Sequence, residues 1–312
     1  MVSKLESEWI KNLKYSDDEQ LKEWRTYGEE GVQVLIRGME RANRPTERAY
    51  RQFSRQMPYW VSRWLPATKL DATRSTRMTI ASLLSSLGSD AKSATPIMVR
   101  MLNDDEDDSV RQIVITFFTY TEDAKCPLNQ MPAKEKRALL PAFLRSMQIS
   151  QLRNNAAIAL RFYPEESKIV APVLVKALQD SDPAVRLLAA EALGAVAPSA
   201  AKQADTLSVV IEIAKLPDDQ IVSRAVAALG DFPDAPEPAV RALIEALVST
   251  NTLVACQSVW SLQSAPKEYK QFSGSIIPAL QKAAERKDNV RGYARSALTQ
   301  WISGSYAKQG AK

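Results

Sequence analysis

The stretch APVLVKALQDSDPAVRLLAAEALGAV, residues 171–196, reads as one helical hairpin: an apolar helix, a short acidic turn, and a second helix rich in Ala and Leu. Its Ala-Leu-Gly ending recurs as AVAALG at 225–230, and in weaker form as QSVWSL at 257–262 and YARSAL at 293–298. Aligned on the leucine, the positions are Leu160, Leu193, Leu229, Leu262 and Leu298, separated by 33, 36, 33 and 36 residues. A nearly constant period of this size marks an array in which each unit packs on its neighbours.

Upstream, Leu84 and Phe118 continue the column, with a step of 34 and then one of 42 to Leu160. The excess falls on EDAKCPLNQMPAK, residues 122–134, which reads as an inserted loop. Other columns keep the same register. Pro96, Pro141, Pro172 and Pro278 sit early in first helices, where proline is tolerated or bends the helix. Arg77, Arg111, Arg153, Arg186 and Arg291 open second helices, and Ala189, Ala225 and Ala294 supply a face on which helices approach closely. One hairpin cannot bury both of its apolar faces, so stacked pairs share a core and need polar caps at the ends. The expected fold is all-α: an α-solenoid of stacked antiparallel helix pairs, about seven units in a single domain over 1–312. Residues 1–29 are expected to form an N-terminal helical cap, with Ser16 and Glu19 at capping-box spacing and Gly28 where a helix should stop.

These motifs resemble the HEAT-repeat family, in particular its short bacterial variety related to the phycobilisome-lyase HEAT-like repeats. The resemblance covers roughly residues 30–301 and is strongest over 152–230. It implies a ladder between units, made by an Asp in the turn and an Arg opening the second helix; Asp180 with Arg186, and Asp104 with Arg111, match it. Val222 and Ala255 stand where the ladder arginine would be, and the period is shorter than the 40 to 47 residues or so usual for HEAT units. The resemblance also implies binding through an inner surface lined by second helices.

Composition narrows the function classes. Apolar residues are 45% and charged residues 25%, an ordinary globular composition, while the 10 glycines and the scarcity of alternating strand patterns favour helix. Histidine is absent, which removes the commonest general base, triad member and transition-metal ligand. Cys126 and Cys256 lie 130 positions apart, with no spacing for a thiolate metal site or a disulfide framework. The expectation is a non-enzymatic protein with no cofactor and no metal. The charged start MVSKLESEWIKNLK lacks a secretory signal, and no window approaches the ~18 apolar residues of a membrane span, so a chain complete as it stands is expected in the cytoplasm.

The segment 41–69, RANRPTERAYRQFSRQMPYWVSRWLPATK, reads as a basic aromatic insertion within the first repeat. Residues 37–77 carry a net +7, against −3 before them and +1 after. Arg44, Arg48, Arg51 and Arg55 form one helical stripe, and Tyr50, Phe53, Met57, Trp60 and Trp64 another, about 200° away around the helix. Pro45 suits a helix start, Pro58 a kink and Pro66 an end. The aromatic stripe is expected to dock on the solenoid. The arginines are candidates for an anionic partner, whether an acidic protein surface, nucleic-acid phosphate or an anionic membrane, or else form a solvated face. DDEDD at 104–108 lacks the ligand spacing and central Gly of an EF-hand loop and reads as a turn that caps a second helix.

A second candidate site is a polar ridge on the second helices: the column of Leu188 holds Asn155, Arg224, Gln257 and Tyr293, and seven residues on stand Asp231, Ser264 and Gln300. The leading expectation is a non-catalytic scaffold presenting a solenoid surface to a protein or peptide. The alternative is nucleic-acid binding through the basic insertion, in the manner of HEAT-like DNA-repair glycosylases, although no base-reading motif accompanies it. A bilin-lyase role linked to the repeat's name lacks a chromophore-handling motif, and a His-Glu di-iron centre cannot be built without histidine.

Overall fold

The computed structural model describes residues 18–56, 58, 67–119, 126–232 and 235–303, apart from the side chains of residues 18, 48, 51, 52, 54, 55 and 67–73. Every regular element among them is helical, and they fall into two compact units divided between Phe162 and Tyr163. None of the described helices is long and apolar enough to cross a membrane.

The first unit opens with α1 (Asp18–Thr26) and α2 (Gly28–Ala42), separated at Gly28, whose φ of +52° lies in the left-handed region that favours glycine. Then come α3 (Pro45–Gln56), α4 (Ala67–Leu87), α5 (Thr95–Asp104), α6 (Asp108–Thr119), the single turn α7 (Pro127–Gln130), α8 (Ala133–Ser146) and α9 (Arg153–Leu160). Helices α2 and α4, α5 and α6, and α8 and α9 pair, while the second members α4, α6 and α9 pack side by side. Leu84, Phe118 and Leu160 are fully buried along that layer, and Phe118 meets Phe143 of α8 edge-on at 6.3 Å. Arg77 does not open its helix but lies inside it, because ATKLDATRST after Pro66 contains no helix breaker. Within the stretch 122–134, residues 127–130 form α7, Leu128 is buried, and the Cys126 thiol donates to the Phe118 carbonyl at 2.9 Å.

The second unit contains α10 (Ser167–Ala177), α11 (Pro183–Val196), the short α12 (Pro198–Gln203), α13 (Thr206–Ile213), α14 (Asp219–Ala228), α15 (Pro236–Leu247), α16 (Thr252–Gln263), α17 (Ser273–Ala283) and α18 (Val290–Ser303). The pairs are α10 with α11, α13 with α14, α15 with α16, and α17 with α18, and the second members again neighbour one another in the order α11, α14, α16, α18. With the three pairs of the first unit, this is the α-solenoid of about seven helix pairs that the period implies. Leu193, Leu229 and Leu262 are fully buried, but Leu298 is only half-buried. Among the described residues no further pair follows α18, so Ala297 and Trp301 take its buried side and the flank carrying Leu298 lacks a neighbour. Pro96 stands in the first turn of α5, whereas Pro141, Pro172 and Pro278 lie inside their helices.

The second helices start alike. Asp107, Asp182, Asp218 and Asn251 each accept backbone N–H groups from the first turn, at 2.8 to 3.4 Å, and Asp288 accepts from Val290 at 3.2 Å. Each such cap contributes ~1 kcal/mol by satisfying amides that the helix leaves open. Two residues earlier, Asp105, Asp180 and Ser249 accept the N–H of the capping residue itself, so the turn is fixed by a pair of side chains at i and i+2. At the other end, aromatic donors close carbonyls from a later pair: the Tyr269 hydroxyl donates to Leu229 at 2.7 Å and the Trp301 indole to Leu262 at 3.2 Å.

The ladder between units differs from the expected pairing of Asp104 with Arg111. Asp105 accepts from Arg77 of the preceding helix pair, at 2.9 Å from Nε and 3.3 Å from Nη2, with both side chains buried. Asp105 aligns with Asp180, one residue on from the position the sequence suggested. Arg111 instead holds Asp108 of its own helix, since the next turn, SMQISQL at 146–152, offers no carboxylate. Burial raises the Asp105 pKa above the usual Asp range, against the pull of the Arg77 charge. The acidic run 104–108 is thus a capping and ion-pairing turn: Asp107 caps α6 and meets Arg74 at 2.9 Å, and Arg77 lies 3.7 Å from Glu106.

Candidate functional site

Helix α14 begins because Asp218 caps it, and its Ile221, Val222, Ala225 and Val226 turn toward the core, which leaves Arg224 on the outer face. The Arg224 guanidinium reaches back to Glu191 of α11, with Nε at 3.2 Å and Nη2 at 2.8 Å, a two-point pair that fixes both side chains. Both remain partly exposed, at 47% and 27% of their side chains, so the pair contributes at most ~1 kcal/mol to stability and acts as a surface feature.

One helix on, α16 is capped by Asn251 and buries Val254, Ala255, Val259 and Leu262. Its opposite face carries Gln257, half-buried, and Trp260, 39% exposed. On α18, Tyr293 is 43% exposed, and its ring meets the Trp260 indole edge-to-face at 5.3 Å and 77°. An exposed aromatic pair of this kind offers apolar area at little conformational cost. Beyond it the ridge continues with Gln263, whose amide lies 3.5 Å from the Ser296 hydroxyl, and with exposed Ser264.

The end of α14 brings a second carboxylate to the ridge. A short 3-10 turn, Leu229–Asp231, abuts α16: a Cβ added at Gly230 would stand 3.3 Å from the Ser261 Cβ. Ser261 is itself held by its hydroxyl, which donates to Val226 at 3.0 Å. Asp231 therefore lies beside α16 as an exposed residue whose carboxyl is partly desolvated, and that burial, followed by the nearby Glu191 charge, raises its pKa.

Of the polar column read from sequence, Arg224, Gln257 and Tyr293 lie on successive second helices of the second unit. Asn155 belongs to α9 of the first unit, where its amide donates to the Thr116 hydroxyl at 2.9 Å. Trp260 and Glu191 were not among the candidates. Their column, one turn after the polar one, holds Glu191, Ala227, Trp260 and Ser296, so an indole among small and charged residues was the available signal. Of the basic stripe, Arg44 is exposed just before α3, and the side chains of Arg48, Arg51 and Arg55 lie outside the described residues. Trp60 and Trp64 also lie outside them. Of the rest of the aromatic stripe, Tyr50 is half-buried and Phe53 is 51% exposed, while Met57 lies outside the described residues.

Residues 137–230 match the family model described as HEAT repeats. None of the curated proteins compared with the chain matches it. Among solved structures, a chain of the Kap95:Nup1 complex aligns with a TM-score of 0.50 and 16% identity, over 89% of this chain and 39% of that one. The archaeal HEAT-like repeats protein from Thermococcus onnurineus NA1 aligns at TM-score 0.43 and 15% identity, over 74% and 95% of the two chains. A designed armadillo repeat protein gives 0.46 and 19%, over 66% and 99%. The matched segment, residues 137–230, is thus similar to HEAT repeats, and with the same helix pair repeated on either side of it the chain folds as an α-solenoid of HEAT-like units.

Proposed function

We propose that this protein is a non-catalytic scaffold that holds a protein or peptide along the second-helix ridge of residues 163–303. The observation that carries the reading is the Trp260–Tyr293 pair, two large rings on adjacent helices, both well exposed and in contact. Neither ring is needed to complete a core, since Val254, Ala255, Val259 and Leu262 fill that of α16 and Val290, Ala294, Ala297 and Trp301 that of α18. Aromatic side chains with polar neighbours, here Gln257, Arg224 and Glu191, are the composition of an interface centre with its rim. The Kap95:Nup1 neighbour, a solenoid solved in a complex, is in keeping with a protein partner.

The test is affinity capture with wild type and the double variant Trp260→Ala/Tyr293→Ala, followed by hydrogen exchange on the captured complex. The expected result is a partner retained by wild type and lost by the variant, with new protection confined to α14, α16 and α18. Retention of every partner by both proteins would refute the ridge as the docking face.

A further inference from the structure

The ridge has a sign as well as a shape. Arg224 is committed to Glu191 by two bonds, and no cation pairs with Asp231 among the described residues. Asp231 also lies at the C-terminal end of α14, where the helix dipole adds negative potential to that of the carboxylate. The adjacent α16 and α18 present the faces and edges of an indole and a phenol, whose π-systems attract a cation. The polar residues around them, Gln257, Gln263, Ser264 and Ser296, are neutral. Arg291 and Arg295 of α18 stand two residues on either side of Tyr293, about 200° around the helix, and so face away from it.

Resting on the reading proposed above, we infer that the ridge recognises a peptide segment rich in basic side chains, one received by the Asp231 carboxylate and another by the Trp260–Tyr293 rings. An anionic segment would meet two carboxylates and a helix C-terminus, with the one nearby guanidinium already engaged. A neutral one would leave Asp231 without a counter-charge in a site that binding makes drier. Arginine suits both places better than lysine, because its planar cation can stack on a ring at one and offer two parallel N–H groups to a carboxylate at the other. The chain as a whole carries +5, so a cationic peptide gains nothing from the net field and requires a local site. The sequence of 163–312 is balanced, with sixteen Lys and Arg against sixteen Asp and Glu, which again makes placement decisive rather than bulk charge.

The experiment titrates the full chain with two fluorescein-labelled twelve-residue Gly/Ser peptides, one with Arg at every third position and the other with Glu there, at two salt concentrations. Wild type should bind the Arg peptide and not the Glu peptide, and more weakly at high salt. Asp231→Asn should weaken that binding about fivefold, the scale of a partly exposed ion pair. Asp231→Lys should abolish it, with helical content retained and thermal stability not lowered in either variant, because the residue is exposed and its carboxylate sits at a helix C-terminus beside Glu191. Equal binding of the two peptides, or an Arg-peptide affinity indifferent to Asp231→Lys, overturns the inference. Trp260→Ala/Tyr293→Ala separates the two levels. If it weakens peptide binding while Asp231→Lys does not, the ridge stands and its cation preference fails; if neither changes binding, the ridge itself is not the site.

Discussion

Replacing Tyr269 by Phe should remove a specific alkaline instability. Tyr269 is fully buried in the 3-10 segment that follows α16; its hydroxyl donates to the Leu229 carbonyl, so it stitches the end of α14 to a later pair. Burial, with a smaller push from Asp231, drives its pKa up from 10.0 to about 12. In the unfolded chain the phenol ionises near pH 10, whereas in the folded protein it stays neutral through two further units. Between those values the unfolded state has lost a proton that the folded state keeps, so stability is fully present below pH ~10 and is lost as pH rises through ~12. At ~1.36 kcal/mol per unit, the loss attributable to this residue is about 2.7 kcal/mol. Tyr269→Phe should cost ~1 kcal/mol at pH 8, for the bond to the buried carbonyl, and should then lack this part of the alkaline decline. Urea unfolding of both proteins at half-unit steps from pH 8 to 12 measures the difference directly. If the two stability curves stay parallel throughout, the phenol is not held neutral by its site and the reasoning is wrong.

The buried ladder pair gives a second expectation: Arg77→Met or Asp105→Leu alone should destabilise by ~3–5 kcal/mol by stranding the other charge, whereas the double substitution should recover most of the loss, as read by chemical denaturation. The two glycines that end the Ala-Leu-Gly motifs should respond with opposite signs. Gly194 has nothing within 4 Å of an added Cβ, so Gly194→Ala should raise stability by ~0.5–1 kcal/mol through helix propensity. At Gly230 an added Cβ meets buried, hydrogen-bonded Ser261 at 3.3 Å, so Gly230→Ala should lower the melting temperature, at a cost of ~1 kcal/mol. Gly31→Ala should cost at least as much, because its Cβ would fall 2.8 Å from that of Tyr27 at the elbow between α1 and α2.

The helix pairs were legible because burial repeats: one leucine column, taken by Phe118 where the aromatic core needs it, marks the same place in successive second helices and is fully buried until the last. Turn chemistry was legible in kind and less so in register. DDEDD contains three overlapping acidic pairs at i and i+2, and the one that forms the turn, Asp105 with Asp107, is held by Arg77, twenty-eight residues upstream in a different pair. A local pattern cannot hold that information. Phe53 stands 51% exposed on its stripe for a related reason, since an apolar stripe at helical spacing states that a face could be buried but not which of its residues are covered.

The ridge shows the same limit from the other side. Leu188 and Tyr293 occupy one column of the repeat, yet Leu188 is 5% exposed and Tyr293 is 43% exposed. A column fixes where a side chain points relative to its own helix; whether it meets protein or water depends on the size of what stands beside it. Trp260 stays exposed with Ala227 and Ser296 at its repeat position on the flanking helices, residues too small to enclose an indole. Periodicity scores that tryptophan as core because it counts hydrophobicity, whereas the neighbours decide exposure. In a repeat array the informative residue is therefore the one whose size departs from its own column. By that criterion Trp260 marks the point where α14, α16 and α18 stop being only mutual cover and can serve as a surface for something else.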